Sequence, residues 1–325
     1  MKYAALALSF VLMPCLAQAA SFDCAKAGTA QENLVCTASN LSKADEDLAS
    51  LYARQLAKLT PLNQGALKKS QRSWITFREK ACGLDAQCVA TQYEARTDFL
   101  KKAVETRGPW TFAIIDQWRF IAPATAVEEY PGQGAMQYAE KTRLVIDAPL
   151  SDDARAFNTA LAKRFPDAVT GFDGAEESGA GFALNEATPD FISLDLFGWT
   201  YPVGAAHGIG AAEHVNYLMA ERREVKASDV FAPGSGWQKA LAALVLADLQ
   251  KQAGAEDQPL FEEAPDAVAA MSPDPANWVI TAKGLGVNFS VYSVGPYSFG
   301  DRTVDLPWAA LKPYLAKDSP LPFWR

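Results

Sequence analysis

Between Asp190 and Phe231 the hydrophobic residues recur with a period of two, and this stretch limits the possible folds most severely. Ile192, Leu194 and Leu196 share one parity while Ser193 and Asp195 take the other, which predicts a half-buried strand. The segment Tyr201-Pro202-Val203-Gly204-Ala205-Ala206-His207-Gly208 reads as a small-residue turn holding one of the chain's two histidines. Alternation resumes at Glu213, with Val215, Tyr217 and Met219 on one face. A polar turn over 220–224 leads to a short strand over 225–231, and a helix is expected from about Gly236. This order describes an α+β unit with antiparallel strands and packed helices, and it contains no phosphate-binding loop.

At 325 residues, 49% of them hydrophobic and 21% charged, the chain has material for two domains with real cores. Met1 to Ala20 reads as an export leader, with Lys2, a short apolar run and the small-x-small site Ala17-Gln18-Ala19. Cleavage is expected after Ala19 or Ala20. The run is too short to span a bilayer and no later segment suits a transmembrane anchor, so the product is expected in the periplasm or secreted. Cys15 leaves with the leader, and Cys24, Cys36, Cys82 and Cys88 remain, an even number in an oxidising compartment. Three pairings are open; Cys24–Cys36 with Cys82–Cys88 is favoured because each closes a short local loop. The spacing does not suit a zinc ribbon.

Residues 21–107 read as a helical module. Leu41, Ala44, Leu48, Leu51, Gln55 and Leu59 mark one helix, with Ser42 as its expected cap and Pro61 as its end. Leu67, Gln71, Trp74, Phe77 and Arg78 mark a second helix that Gly83 breaks. A third carries Val89, Tyr93, Arg96, Leu100 and Val104, up to a linker at Arg107-Gly108-Pro109. Trp74 and Arg78, one turn apart, are expected to be a packing pair.

In residues 108–325, Trp110 to Ile121 looks extended and 142–147 is a strand. Ser151 should cap a helix carrying Phe157, Leu161 and Phe165. Asp167 to Thr188 reads as a loop or hairpin, and Gln252 to Pro275 as a surface connection. Trp278 to Thr281 and Val287 to Val294 suit a hairpin turning at Lys283-Gly284, and Pro307 suits the start of a short last helix.

Two resemblances follow from these residues. Phe22-Asp23-Cys24, Glu32-Asn33-Leu34-Val35-Cys36, Gln71 to Arg78, Cys82, Cys88-Val89, Tyr93, Arg96 and Leu100 resemble the LprI-type lysozyme inhibitor domain. The turn 201–208, the segment Lys226 to Phe231, and Gly284-Leu285 through Tyr292 and Pro296-Tyr297-Ser298-Phe299-Gly300 to Trp308 resemble the extracellular domain of the anti-sigma factor RsiV. The turn departs from that family at Ala205, which replaces a glycine, and Tyr201 lies one residue further from the histidine. Both resemblances imply lysozyme binding: the first by inhibition, the second by capture.

The expected fold is therefore two domains, an all-α disulfide-braced module and an α+β module. From 21 to 107 there are 13 basic and 10 acidic residues, net +3; from 108 to 325 there are 16 and 28, net −12. So acidic a module does not suit nucleic acid, which demands basic patches, but does suit a cationic partner. His207 and His214 have no fixed relative geometry, and there is no His-Glu-x-x-His helix or Gly-x-Ser-x-Gly elbow. Many acids are available for sugar hydrolysis, yet nothing singles out two of them. The expectation is a binding protein without enzyme activity, cofactor or metal, whose partner is a lysozyme-like muramidase met by cleft occlusion. The alternative is a module that binds peptidoglycan or assists a wall enzyme. Tyr201, His207, Gly208, Tyr297 and Phe299 are the candidate partner-binding residues, with His207 expected mainly to brace its turn by hydrogen bonding.

Overall fold

The computed structural model describes residues 20–121, 137–165, 176–202 and 204–324. The proposed leader up to Ala19, the stretch 166–175 and Val203 of the turn lie outside the described residues. Four helices come first: α1 (Ala30–Thr37), α2 (Ser39–Leu56), α3 (Pro61–Cys82) and α4 (Ala86–Lys102). Both favoured cystines are present, Cys24–Cys36 and Cys82–Cys88.

Several helix ends differ from the sequence reading. Thr29, with Glu32 in return, caps α1. Ser42 lies inside α2 and not at its start; its hydroxyl donates to the Val35 carbonyl at 2.6 Å and ties α2 to α1. Pro61 opens α3 rather than ending α2, because the first helical position needs no amide donor. Val104 leaves the helix and begins a strand, β1 (Val104–Arg107), which pairs with β2 (Trp110–Ile121). Gly108-Pro109, read as a linker, is instead the turn of that hairpin, with Gly108 at φ 54°.

A seven-stranded sheet runs in chain order through β1, β2, β3 (Gln137–Ile146), β4 (Glu176–Ala187), β5 (Phe191–Pro202), β6 (Ile209–Leu218) and β7 (Arg223–Glu224). All neighbours are antiparallel except β3 and β4, which are joined through α5 (Asp152–Arg164). Ser151 caps α5 as expected, accepting from the Ala154 amide at 3.1 Å. The region around 176–187, read as a loop or hairpin, is the full-length strand β4, pairing with β5 along almost its whole length. Its glycines and alanines carry a weak strand signal; the paired neighbour supplies the order. The short strand expected over 225–231 is mainly a helical turn, α6 (Ala227–Val230), closed by the Asp229 carboxylate on the Lys226 amide.

The remainder is a three-stranded antiparallel sheet with helices. α7 (Trp237–Glu256) is followed by α8 (Ala264–Met271), a helix inside the stretch read as a connection. β8 (Trp278–Thr281), β9 (Gly284–Phe289) and β10 (Arg302–Pro307) follow, with the hairpin turn at Ala282-Lys283, and α9 (Trp308–Leu311) comes after Pro307.

Among the described residues, buried hydrophobic side chains form three clusters. Alternate residues of β2 serve two of them: Phe112 and Ile114 meet α5 through Phe157 and Leu161, whereas Ala113 and Ile115 join the helical core of Leu67, Trp74 and Leu100. β5 divides likewise, Ile192 and Leu194 facing the α5 cluster and Phe191 the cluster of Trp237, Trp278 and Val287. Its first half is thus buried on both faces, not half-buried, because the second sheet covers the side that Ser193 shares with Phe191. Asn216 on β6 locks the two sheets together, donating to the Trp278 carbonyl at 2.6 Å and accepting from the Ile280 amide at 3.2 Å.

Candidate partner-binding surface

Beyond its buried half, β5 emerges with Phe197, Trp199 and Tyr201 on one parity. Phe197 is 48% exposed and Trp199 39%. Opposite Trp199 stand Gly179 on β4 and Gly210 on β6; opposite Phe197 stand Gly181 and Ala212. The rings lie down on β4: a Cβ at Gly179 would come within 2.6 Å of Trp199 Nε1, and one at Gly181 within 2.9 Å of Phe197 Cε2. The glycines are needed for close approach, and they leave two aromatic groups presented on a nearly bare sheet face.

The turn after β5 carries the sequence candidates. Gly204 takes φ 88°, and the Ala205 amide donates to the Pro202 carbonyl at 3.0 Å. The His207 ring stacks on Tyr297, centroids 3.9 Å apart and planes inclined by 22°. Its Nδ1 lies 3.0 Å from the Gly208 carbonyl, and Tyr297 donates its hydroxyl to that same oxygen at 3.0 Å. Tyr292 places its hydroxyl 3.4 Å from His207 Nε2. Two loops far apart in sequence are thereby pinned together, and His207 does brace its turn by hydrogen bonding.

The structure therefore joins His207, Gly208 and Tyr297. Tyr201 adjoins them, since a Cβ on Gly208 would lie 3.6 Å from Tyr201 Cβ. Phe299 does not belong. It is only 2% exposed, with the Arg302 guanidinium carbon 4.0 Å over its ring, and it is a core residue beneath the loop whose tip is Tyr297. Tyr292, 52% exposed and held at φ 67°, joins this candidate surface although sequence reasoning did not single it out; only its place in the Val291 to Gly300 segment pointed to it.

Several charges of this part of the chain are held in pairs. Arg164 bridges Glu224 at 2.6 Å and Glu213 at 3.2 Å, and burial, which lowers its pKa, is outweighed by these two carboxylates. Arg223 grips Asp229 at 2.7 and 3.0 Å. His214 Nδ1 lies 2.6 Å from Asp195 Oδ1 across the β5–β6 pair, and its Nε2 is buried with no hydrogen-bond partner among the described residues. Among the described residues no hydroxyl or thiol meets that nitrogen as the third member of a relay would. Among the described residues no three His, Cys, Asp or Glu side chains converge as metal ligands.

In the helical module, Arg78 lies 5.0 Å over Trp74 and 4.8 Å over Tyr93, and its Nε donates to Gln31 at 3.0 Å. All three are buried, as a packing pair requires. Burial pushes the Tyr93 phenol well above its ordinary range. No helix among the described residues is long and apolar enough to cross a membrane.

Comparison with known proteins finds two family matches along the chain. Residues 23–100 match the family described as "Lysozyme inhibitor LprI", and residues 228–309 match "Protein of unknown function (DUF3298)". No curated protein matches the chain. A crystal structure of a DUF3298 family protein from Pseudomonas aeruginosa PAO1 is similar at 16% identity and a TM-score of 0.46, covering 64% of this chain and 95% of that one. A DUF3298 family member from Bacteroides fragilis NCTC 9343 is similar at 14% identity and a TM-score of 0.46, covering 66% and 96%. The chain thus carries an LprI lysozyme inhibitor domain near its amino terminus and a DUF3298 domain in its carboxy-terminal half.

Proposed function

We propose that this is an exported envelope protein, with a leader within 1–20 that ends at Ala19 or Ala20, a helical domain over 21–107 and an α+β domain over 108–325, that binds lysozyme-like muramidases and inhibits them by occluding the substrate cleft. The observation that carries this reading is the lysozyme inhibitor match over 23–100, a stretch that holds both cystines and Trp74. The resemblance of the second domain to the RsiV extracellular domain supports the same target. So does charge: a domain of net −12 attracts a cationic enzyme and speeds encounter. The surface proposed for contact is the rigid tyrosine–histidine tip of Tyr201, His207, Gly208, Tyr292 and Tyr297, since ordered aromatics with exposed faces are effective anchors. Inhibition by occlusion needs no covalent step, cofactor or metal.

A second reading is favoured by Phe197 and Trp199 alone. Their rings rest on glycine backbone and present flat faces, which suits sugar rings of peptidoglycan. The two readings separate in one experiment. Mature protein added to a cell-wall lysis assay with a c-type lysozyme is expected to slow lysis in proportion to complex formed. Unchanged lysis at excess inhibitor sinks the leading reading, and sedimentation with purified peptidoglycan then favours the second.

A further inference from the structure

Asp45 on α2 collects three donors. Its Oδ2 accepts the Ser21 amide at 2.7 Å and the Ser21 hydroxyl at 2.6 Å, and its Oδ1 accepts the Tyr93 hydroxyl at 2.8 Å. The first residues of the described chain are therefore seated on a carboxylate. One residue earlier, Ala20 packs against the helical core together with Phe22. It does so at φ 69°, a left-handed conformation that a residue with a Cβ adopts only at a cost. That cost exists only while a preceding carbonyl is attached, because φ describes the position of that carbonyl relative to Cβ. A chain that begins at Ala20 keeps the packing and loses the strain.

The sequence puts its small-x-small site, Ala17-Gln18-Ala19, directly before this residue. The hollow beside Ser21 is lined by Asp45 and Tyr52 of α2, Glu32 of α1, Arg78 and Glu79 of α3, and Trp74. Tyr93 of α4 reaches it through Asp45. Three carboxylates face one guanidinium there. Arg78 is engaged by the Trp74 and Tyr93 rings, and Glu32 by the Thr29 and Gly28 amides, which hold its carboxyl below the usual range. Asp45, by contrast, is met by neutral donors, and an added positive charge beside it is favourable.

We propose that hydrolysis of the Ala19–Ala20 bond by a signal peptidase creates the mature amino terminus, and that the α-ammonium of Ala20 pairs with Asp45. Water adds across the amide: Ala19 departs as a carboxylate, and the Ala20 nitrogen takes a proton to become the ammonium. Export processing then completes a tertiary ion pair that braces α2 and α4 at the entrance to the inhibitor domain. This rests on the export part of the proposed function, not on muramidase binding.

The test expresses the full chain with its leader and measures the intact mass and amino-terminal sequence of the exported product. Ala20 is expected as the first residue. The pH dependence of acylation of the α-amine is then compared with that of Asp45→Asn. The amine ordinarily titrates at about 7.7–8.0, and pairing with a carboxylate is expected to raise its half-point by about 0.5 pH units in the wild type alone. A raised folded value means the stability it confers is full below the unfolded value and is lost as pH rises through the folded one. The thermal-midpoint advantage of wild type over Asp45→Asn should accordingly be present at pH 7 and vanish by about pH 10. Should Asp45→Asn not fold, a wild-type chain carrying one extra glycine before Ala20 serves instead, with the ammonium displaced and the carboxylate intact. A first residue other than Ala20, or equal half-points in wild type and both variants, overturns the proposal. A raised half-point supports it even where lysozyme is not inhibited, a result that sinks only the functional reading.

Discussion

Arg96 on α4 and Asp116 on β2 form an ion pair from which solvent is wholly excluded, NH1 to Oδ2 at 2.5 Å. It joins the helical module to the sheet. Ser70 donates its hydroxyl to the other carboxylate oxygen, Trp118 Nε1 donates at 2.5 Å, and Arg96 Nε donates to Gln71 at 2.9 Å. With each of the three guanidinium nitrogens donating a hydrogen bond, the pair is a joint between parts of the chain that sequence reading separates. Breaking it strands a buried charge, so Asp116→Ala is expected to lower unfolding stability by about 3–5 kcal/mol, while Arg96→Met with Asp116→Leu recovers most of that. Guanidinium titration of the three proteins measures it; a loss under about 1 kcal/mol for the single change contradicts the role.

Asp147, just after β3, makes the second joint. It accepts from the Thr60 amide at 2.8 Å, the Thr60 hydroxyl at 2.5 Å and Asn63 Nδ2 at 2.7 Å. A carboxylate from the sheet thus caps the positive end of α3, which has no cap from its own Thr60 side chain. Asp147→Ala should cost about 1–2 kcal/mol and speed amide exchange in the first turn of α3 more than elsewhere. Uniform acceleration along α3 would count against a local cap.

At Asp229, burial pushes the carboxyl up, but the Arg223 guanidinium and the Lys226 amide hold it below the usual carboxylate range. A depressed folded value contributes stability that is present above the unfolded value, near pH 3.9, and is lost as pH falls through the folded one. Thermal midpoints of the wild type should therefore fall faster below about pH 4 than those of Asp229→Asn. Parallel curves for the two proteins would show that the pair does not couple to folding.

Tyr297 and Phe299 stand two residues apart and should behave oppositely. Tyr297→Ala removes an exposed ring of the proposed contact surface and, under the proposed function, is expected to weaken inhibition of lysozyme by about tenfold or more, with little change in thermal midpoint. Phe299→Ala empties a core site and should destabilise the fold by about 3–5 kcal/mol. Equal loss of inhibition for Tyr297→Ala and an exposed control such as Leu244→Ala would place the contact elsewhere.

How much of this was legible beforehand depended on whether the cause was local. The alternation around Leu194 and Val215 marked β5 and β6 correctly, and Cys82 and Cys88 stood close enough in sequence for their pairing to be favoured. β4 was missed because its order comes from β5, whose aromatic rings need the glycines that make β4 look like a loop. Tyr292 was missed as a site residue because its contact with His207 spans 85 positions. Phe299 was misplaced because an aromatic between Tyr297 and Gly300 looks the same in sequence whether it points outward or into the core.

The amino-acid order by itself determined what depends on near neighbours: much of the helical and strand periodicity, the Ser151 cap, and the acidic balance of the second half, and it favoured the short cystine loops. Tertiary structure alone decided that Gly108-Pro109 is a hairpin turn and that Arg96 and Asp147 reach across it. It also decided which aromatic faces solvent. Those outcomes turn on burial and on partners distant in the chain, and a side chain's charge or ring carries no record of either until the sheet and helices have closed around it.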